Sequence, residues 1–269
     1  MSVTKIGSRH STASIARTCA VVFLTSCGVG DTGAGSSPGA AESAAAVSRT
    51  QAPVPLKRAT LLIEHNSTAE DTGFQAFVDG TAWKELEIEG PQGEIFSVKP
   101  MGKLKGIGLT ELFFESEEPP NAEMPIPQLL AKLPPGDYAF EAKTVGGGTQ
   151  KSIAKFNHKI PAGPQIITPS TDAVVSEAVD LQVSWSPGAT PVNGTDINVT
   201  FYQLIVAKLG EPAHPGFGKS VYSVHAPSNV TSMRVPHEFL APNSEYEFEV
   251  IAIEAGGNQT LTTSTFKTP

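Results

Sequence analysis

The sequence predicts a mostly-β chain: two β-sandwich-like bodies in series behind an export leader and a flexible linker. Three observations carry this. From position 56 onward, apolar residues alternate with polar ones at period two rather than at helical spacing. Clusters of Gly, Pro, Asn and Ser separate the short apolar runs, as turns separate strands. A seam at Ile160-Pro-Ala-Gly-Pro164 divides the stretch, because Pro and Gly cannot continue a paired strand there. The expected division is 1–26 leader, 27–55 linker, 56–162 first body and 163–269 second body.

The leader carries Lys5, Arg9 and Arg17 without an acid, then the apolar run Cys19 to Leu24, then small residues. That order is the charged region, apolar region and cleavage site of an exported chain. Leu24-Thr-Ser-Cys27 spells a bacterial lipobox, which makes Cys27 the first residue after cleavage and the site of diacylglycerol and palmitate attachment. The chain has two cysteines, Cys19 and Cys27, so the processed form keeps one and forms no internal disulfide; a lone cysteine in an exported chain is explained by lipidation. Gly28-Val-Gly-Asp-Thr-Gly33 also spells GxGxxG, but a nucleotide loop needs a strand before it and a helix after it, and neither pattern is present. Residues 28–55 are rich in Gly, Ala and Ser and poor in large apolar residues, hence a flexible tether. As a coil it spans roughly 30 Å. A bacterial envelope location follows, with Gly28 rather than Asp after the cysteine favouring the outer membrane. The net charge of −8 argues against nucleic acid as a partner. The membrane, through the lipid, is the expected partner, together with an unnamed protein or glycan.

In the first body, Ala59–Ile63 is a strand, and Phe74, Ala76 and Val78 alternate in the next. Asp79-Gly80 gives a turn signal before Trp83. Leu86 and Ile88, Ile95 and Val98, and Leu109–Phe114 mark further strands. Ile126, Leu129, Leu130 and Leu133 recur at i, i+3, i+4 and i+7, with Pro127 near the start and Pro134 after the end, which predicts one short helix. Tyr138–Ala142 and Ile153–Ile160 flank the turn Gly146–Gly148. The segment Leu133-Pro-x-Gly-x-Tyr-x-Phe140 with His158-x-Ile-Pro161 is similar to uncharacterised bacterial envelope proteins and implies no chemistry.

In the second body, Leu181, Val183 and Trp185 alternate with Gln182 and Ser184. Tyr202, Leu204 and Val206 repeat the pattern, and so do Tyr246, Phe248, Val250 and Ala252, with Glu245, Glu247 and Glu249 expected to face water. The run Leu240-x-Pro242-x-Ser-x-Tyr246-x-Phe-x-Val-x-Ala252, with Trp185 and Tyr202-x-Leu-x-Val206, resembles the fibronectin type III domain. The resemblance covers residues 164–269. It implies an immunoglobulin-like sandwich with Trp185 as core filler and a tyrosine corner in which Tyr246 bonds back to backbone near Leu240 and Pro242. It leaves the fourth strand open, because Pro212–Gly218 is rich in Pro and Gly. It also points to Pro187–Asp196 and Ala255–Thr260 as binding loops at one end of the sandwich.

No HExxH, GxSxG, Walker or CxxC motif is present, so a non-enzymatic binding or spacer role is expected. The alternative is a carbohydrate-binding or accessory module, for which Trp83 is the stacking residue in the first body. Glu64, Asn66, Asp71 and Asp79, with Glu70 among them, form the one acidic cluster dense enough to suggest calcium, although it lacks EF-hand spacing. Lys99, Lys103 and Lys105 form a basic loop, read as guards of a sheet edge or as a contact to anionic headgroups or glycan. Asn-x-Ser/Thr triplets begin at Asn66, Asn193, Asn198, Asn229 and Asn258 and are incidental in a bacterial chain.

Overall fold

The computed structural model describes residues 52–213 and 218–269. The lipobox with Cys27, the GxGxxG, most of the linker and His214 lie outside the described residues.

The first body is built on a single long strand. β1 (Arg58–Asn66) pairs antiparallel with the first half of β2 (Asp71–Gly90). The second half of β2 pairs with β5 (Gly136–Thr144), which pairs with β6 (Thr149–Phe156). The other edge of β2 takes β3 (Gly93–Val98) and β4 (Leu109–Glu115). Ahead of β1, Val54 bridges to Gln150 on β6, so the sheet curls back on itself around its core. Pairing therefore begins within the stretch expected to be linker. The Asp79-Gly80 turn signal is overruled: β2 runs through it with irregular pairing between Asp79 and Trp83. Gly80 serves close approach instead, since a Cβ there would stand 2.8 Å from both Gln150 Oε1 and Leu56 Cδ2. The short helix α1 (Ile126–Leu130) forms where the apolar spacing places it, with Pro127 in its first turn and Leu129 and Leu130 buried.

The second body is a sandwich. One sheet holds β7 (Gln165–Thr168), β9 (Leu181–Ser186) and β12 (Ser232–Val235). The facing sheet holds β10 (Val199–Lys208), β11 (Val221–Pro227), β13 (Glu245–Glu254) and β14 (Gln259–Lys267), with the two-residue β8 (Ala173–Val174) on β14. Between them lies a core of Val183, Trp185, Tyr202, Leu204, Tyr246 and Phe248 and their neighbours. The Trp185 indole meets the Tyr202 ring edge-on at 5.4 Å. The tyrosine corner is present: Ala241 N donates to Tyr246 Oη at 2.6 Å, one residue from Leu240 and from Pro242. The fold is mostly β, and its second body is fibronectin type III-like.

The two bodies share one sheet. β1 pairs in parallel with β14, at Glu64↔Gln259, His65↔Thr260 and Asn66↔Leu261, giving the order β11-β10-β13-β14-β1-β2-β5-β6. Both apolar cores lie on the same face of it, His65 and Thr260 marking that face at the joint. A sequence seam with two cores has become a structure with one backbone ladder.

Candidate functional site

The joint is where polar side chains converge. Asn258 is 1% exposed and acts as its staple. Its Oδ1 accepts from Ile63 N at 2.8 Å, and its Nδ2 donates to Asn157 O, Asn157 Oδ1 and Lys159 O at 2.9–3.0 Å. Thr260 Oγ1 donates to Pro161 O at 2.7 Å, and Ser67 Oγ to Leu261 O at 2.8 Å. The carboxylate of Glu254, also buried, accepts from Gly256 N at 2.8 Å and from Asn258 N and Asn157 Nδ2 at 3.3 Å. Of Ala255–Thr260, expected as a binding loop, Asn258 and Thr260 are thus spent in holding the bodies together, while Ala255 and Gly256 are exposed.

Pro187–Asp196 touches the joint through Gly188, Val192 and Asn193, while its other residues are exposed. Ile160 N and Asn193 O bond at 3.0 Å, Asn193 Nδ2 donates to His158 O at 2.6 Å, and Val192 packs on the first core. Gly188 lies so close to the Gly163 carbonyl and Ala162 that any Cβ would collide.

The sheet face opposite the cores carries acids. Cross-strand register places Glu249 and Thr263, then Gln259, Glu64, Gln75 and Glu115, on this face. The expectation that Glu249 faces water fails, since it is 7% exposed. Glu64 is 5% exposed. Beyond β4 the chain turns over this face, and Glu118 leans across Gly73, where a Cβ would meet Glu118 Cγ at 2.6 Å. Gly73 stands opposite Glu64, so its missing side chain is what admits Glu118 to the cluster. One carboxylate oxygen each from Glu64, Glu115 and Glu118 lie within 4.8 Å of one another. Gln75 Nε2 donates to Glu115 at 2.8 Å, and Gln259 Nε2 donates to Glu64.

Burial drives the acids upward. The Glu64 carboxyl is pushed up to about 8 by loss of water and by the charges of Glu115, Glu249 and Asp71, against the pull of the Gln259 amide. Glu249 rises to about 7 through burial, with Glu247 and Glu118 adding repulsion. The unfolded chain releases these protons near pH 4.5, whereas the folded protein retains them until about 7 and 8. Folding stability is therefore expected to be highest below pH 4.5 as far as these groups are concerned, and to fall as pH rises from there through 7–8. Chemical denaturation across pH 5–9 tests this, and Glu64→Gln should flatten the decline.

The residues read from the sequence as a calcium cluster are only partly brought together. Glu64 joins the group, and the Asp71 charge reaches it. Asn66 is spent locally, its Oδ1 accepting from Thr68 N and Ala69 N at 2.9 Å. Asp79 is eight residues along β2 from Asp71, roughly 26 Å away in extended chain, and pairs with Lys57 at 3.4 Å. Glu115 and Glu118 were missed because they lie some 50 residues from Glu64 in sequence and meet it only through the pairing of β2 with β4. His65 points to the opposite face, buried, its basicity lowered; its Nδ1 bonds Thr72 Oγ1 at 2.9 Å, whose hydroxyl donates to Asn121.

Trp83 is fully buried and offers no platform for a sugar ring. Lys99 pairs with Glu85 at 2.8 Å, while Lys103 and Lys105 sit on an exposed 3₁₀ turn, Gly102–Gly106, between β3 and β4. On that tip Met101 and Ile107 are also exposed, at 78% and 69%. Among the described residues no helix is long and apolar enough to cross a membrane.

No family model matches the chain, and no curated protein matches it. Among solved structures it is similar to the FN1-FN3 domains of chicken CNTN1, at 11% identity and a TM-score of 0.27, covering 80% of this chain and 65% of that one. It is similar also to a bacterial ice-binding adhesin involved in host cell surface retention, at 14% identity and a TM-score of 0.26, covering 78% and 64%. The chain thus spans about two thirds of each.

Proposed function

We propose that this protein is a non-enzymatic lipoprotein of the bacterial envelope, anchored through Cys27, whose two β bodies act as one stiff binding or spacer module. The observation that carries this reading is the joint. β1 and β14 share a ladder, and Asn258 and Asn193, from the two loops at that end of the second body, hydrogen-bond to the segment that closes the first. A module that holds a fixed shape at the end of a tether transmits position, which is the work of a spacer or a presenting scaffold. The sequence supports the tether through its lipobox and its Gly/Ala/Ser-rich linker. Among the described residues, one surface open to a partner is the tip between β3 and β4, where Met101, Leu104 and Ile107 are exposed beside Lys103 and Lys105 with no acid among them. Mass spectrometry of the mature N-terminus from membrane fractions tests the anchoring. A thioether-acylated Cys27 as first residue is expected; a chain starting at Met1 in the soluble fraction overturns it.

A further inference from the structure

We propose that the tip between β3 and β4, Met101 to Ile107, is a second membrane contact that seats on anionic lipid at the end of the first body where the tether enters. The inference rests on the anchored reading above and adds to it the part of the body that meets the bilayer.

The tip is built as an amphipathic wedge. Every residue from Met101 to Ile107 is exposed, between buried Pro100 and Gly108. Leu104 lies within the 3₁₀ turn, and Met101 and Ile107 are its two caps. Such a turn has about three residues per cycle, so these positions, spaced by three, come to one side. Lys103 and Lys105 flank Leu104. The turn closes on itself, Leu104 O accepting from Ile107 N at 3.1 Å and from Gly108 N at 2.7 Å. Met101, Leu104 and Ile107 are left large, apolar and uncovered. Apolar side chains flanked by lysines suit the boundary between headgroups and acyl chains, where the first bury their area and the second reach phosphate along their stems.

Charge selects an anionic surface. Among the described residues Lys103 and Lys105 make no ion pair, whereas Lys99 beside them is spent on Glu85. The chain as a whole carries a net charge of −8. An anionic bilayer therefore repels the body and attracts this tip, each lysine near the surface adding to the binding.

The entry of the tether is the independent observation. Val54, the first paired residue of the described chain, donates its N–H to Thr149 O at 3.0 Å, at the start of β6. On the other side of the turn between β5 and β6, Val145 N donates to Ala82 O at 2.9 Å. Gly108, where the tip rejoins β4, packs there so closely that a Cβ would stand 2.6 Å from Val145 Cγ2 and 2.7 Å from Trp83 O. Linker and tip thus leave the first body beside the same short turn, residues 145–148. A coil of roughly 30 Å fixed in the bilayer at Cys27 keeps that end within reach of lipid, which raises the local concentration of headgroups at the tip.

The test labels the tip itself. In the full chain with Cys19→Ser and Cys27→Ser, which removes the acylation site, Gly106→Cys supplies the thiol; a Cβ at Gly106 meets nothing within 4 Å. A nitrobenzoxadiazole label there is mixed with vesicles of one part phosphatidylglycerol to two parts phosphatidylcholine. A blue shift and a rise in emission are expected, absent with phosphatidylcholine alone and reduced at high salt. Lys103→Glu with Lys105→Glu, and separately Met101→Ser with Ile107→Ser, should each raise the lipid concentration needed by roughly tenfold or more. All four side chains are exposed, so the unfolding midpoints should stay with the parent. The same label at Val174→Cys, exposed in the second body, should report no change. The inference is overturned by no shift at Gly106→Cys with the anionic vesicles, by an equal shift with phosphatidylcholine alone, by a response that survives either double variant, or by an equal shift when heparin replaces the vesicles, which assigns the tip to an anionic glycan. A silent tip overturns this inference and not the anchoring, since the labelled chain has no acylation site; an unacylated Cys27 overturns the anchoring and not the affinity of the tip for lipid.

Discussion

Replacing Asn258 with Ala is expected to lower the free energy of unfolding by about 3–5 kcal/mol and to part the unfolding of the two bodies. The side chain is 1% exposed and serves one backbone donor and two backbone acceptors on two separate segments. Alanine leaves Ile63 N–H and the carbonyls of Asn157 and Lys159 without this partner, and each buried orphan costs about 1–3 kcal/mol. No apolar packing compensates, because the neighbours are main chain. Asn258→Asp separates this from a simple volume effect. An aspartate oxygen still accepts from Ile63 N–H, but the other then faces two carbonyls; only the protonated acid donates to them. Denaturant unfolding of Asn258→Asp should therefore recover toward the parent as pH falls through the carboxyl range, while Asn258→Ala should show no such recovery. Equal losses at every pH would refute the hydrogen-bond account.

That one asparagine also shows what the sequence made legible. Within each body, period-two alternation was enough: Trp185, Tyr202 and Tyr246 lie in the core where the pattern put them, and the tyrosine corner closes on Ala241 as the spacing from Leu240 to Tyr246 implied. Alternation records only which face of a strand is apolar. It does not record what lies across the other face, so Glu249 read as a solvent-facing residue although another part of the chain buries it. The same blindness hid the acid cluster, assembled from residues 64, 115 and 118, while Asn66 and Asp79, which sequence proximity favoured, are committed to a turn and an ion pair. A loop's Gly and Asn content reports that it turns, not whether it meets solvent or its own neighbour. Ala255–Thr260 and Pro187–Asp196 could be placed at one end of the sandwich, but the contacts that Asn258 and Asn193 make across the joint depended on a parallel pairing across nearly 200 residues.

Trp185→Ala tests whether that pairing makes one cooperative unit. The indole is 1% exposed and fills the space between β9 and β10 against Tyr202. Truncation leaves a cavity that two hydrogen-bonded sheets cannot collapse into, and comparable losses run about 3–5 kcal/mol, or roughly 10 °C in the midpoint for a chain of this size. The chain has two tryptophans, and in this variant the one remaining is Trp83, at the centre of the first core. Its fluorescence then reports the first body alone, while circular dichroism reports both. If the β1–β14 ladder and the Asn258 staple couple the bodies, damage confined to the second core lowers the Trp83 midpoint as well, and the two signals coincide. Adding Asn258→Ala should break the coincidence, returning the Trp83 transition to a midpoint independent of the residue at 185. A Trp83 midpoint in Trp185→Ala equal to that of the unaltered chain would mean that the bodies unfold separately, and that the shared sheet does not make them one mechanical piece.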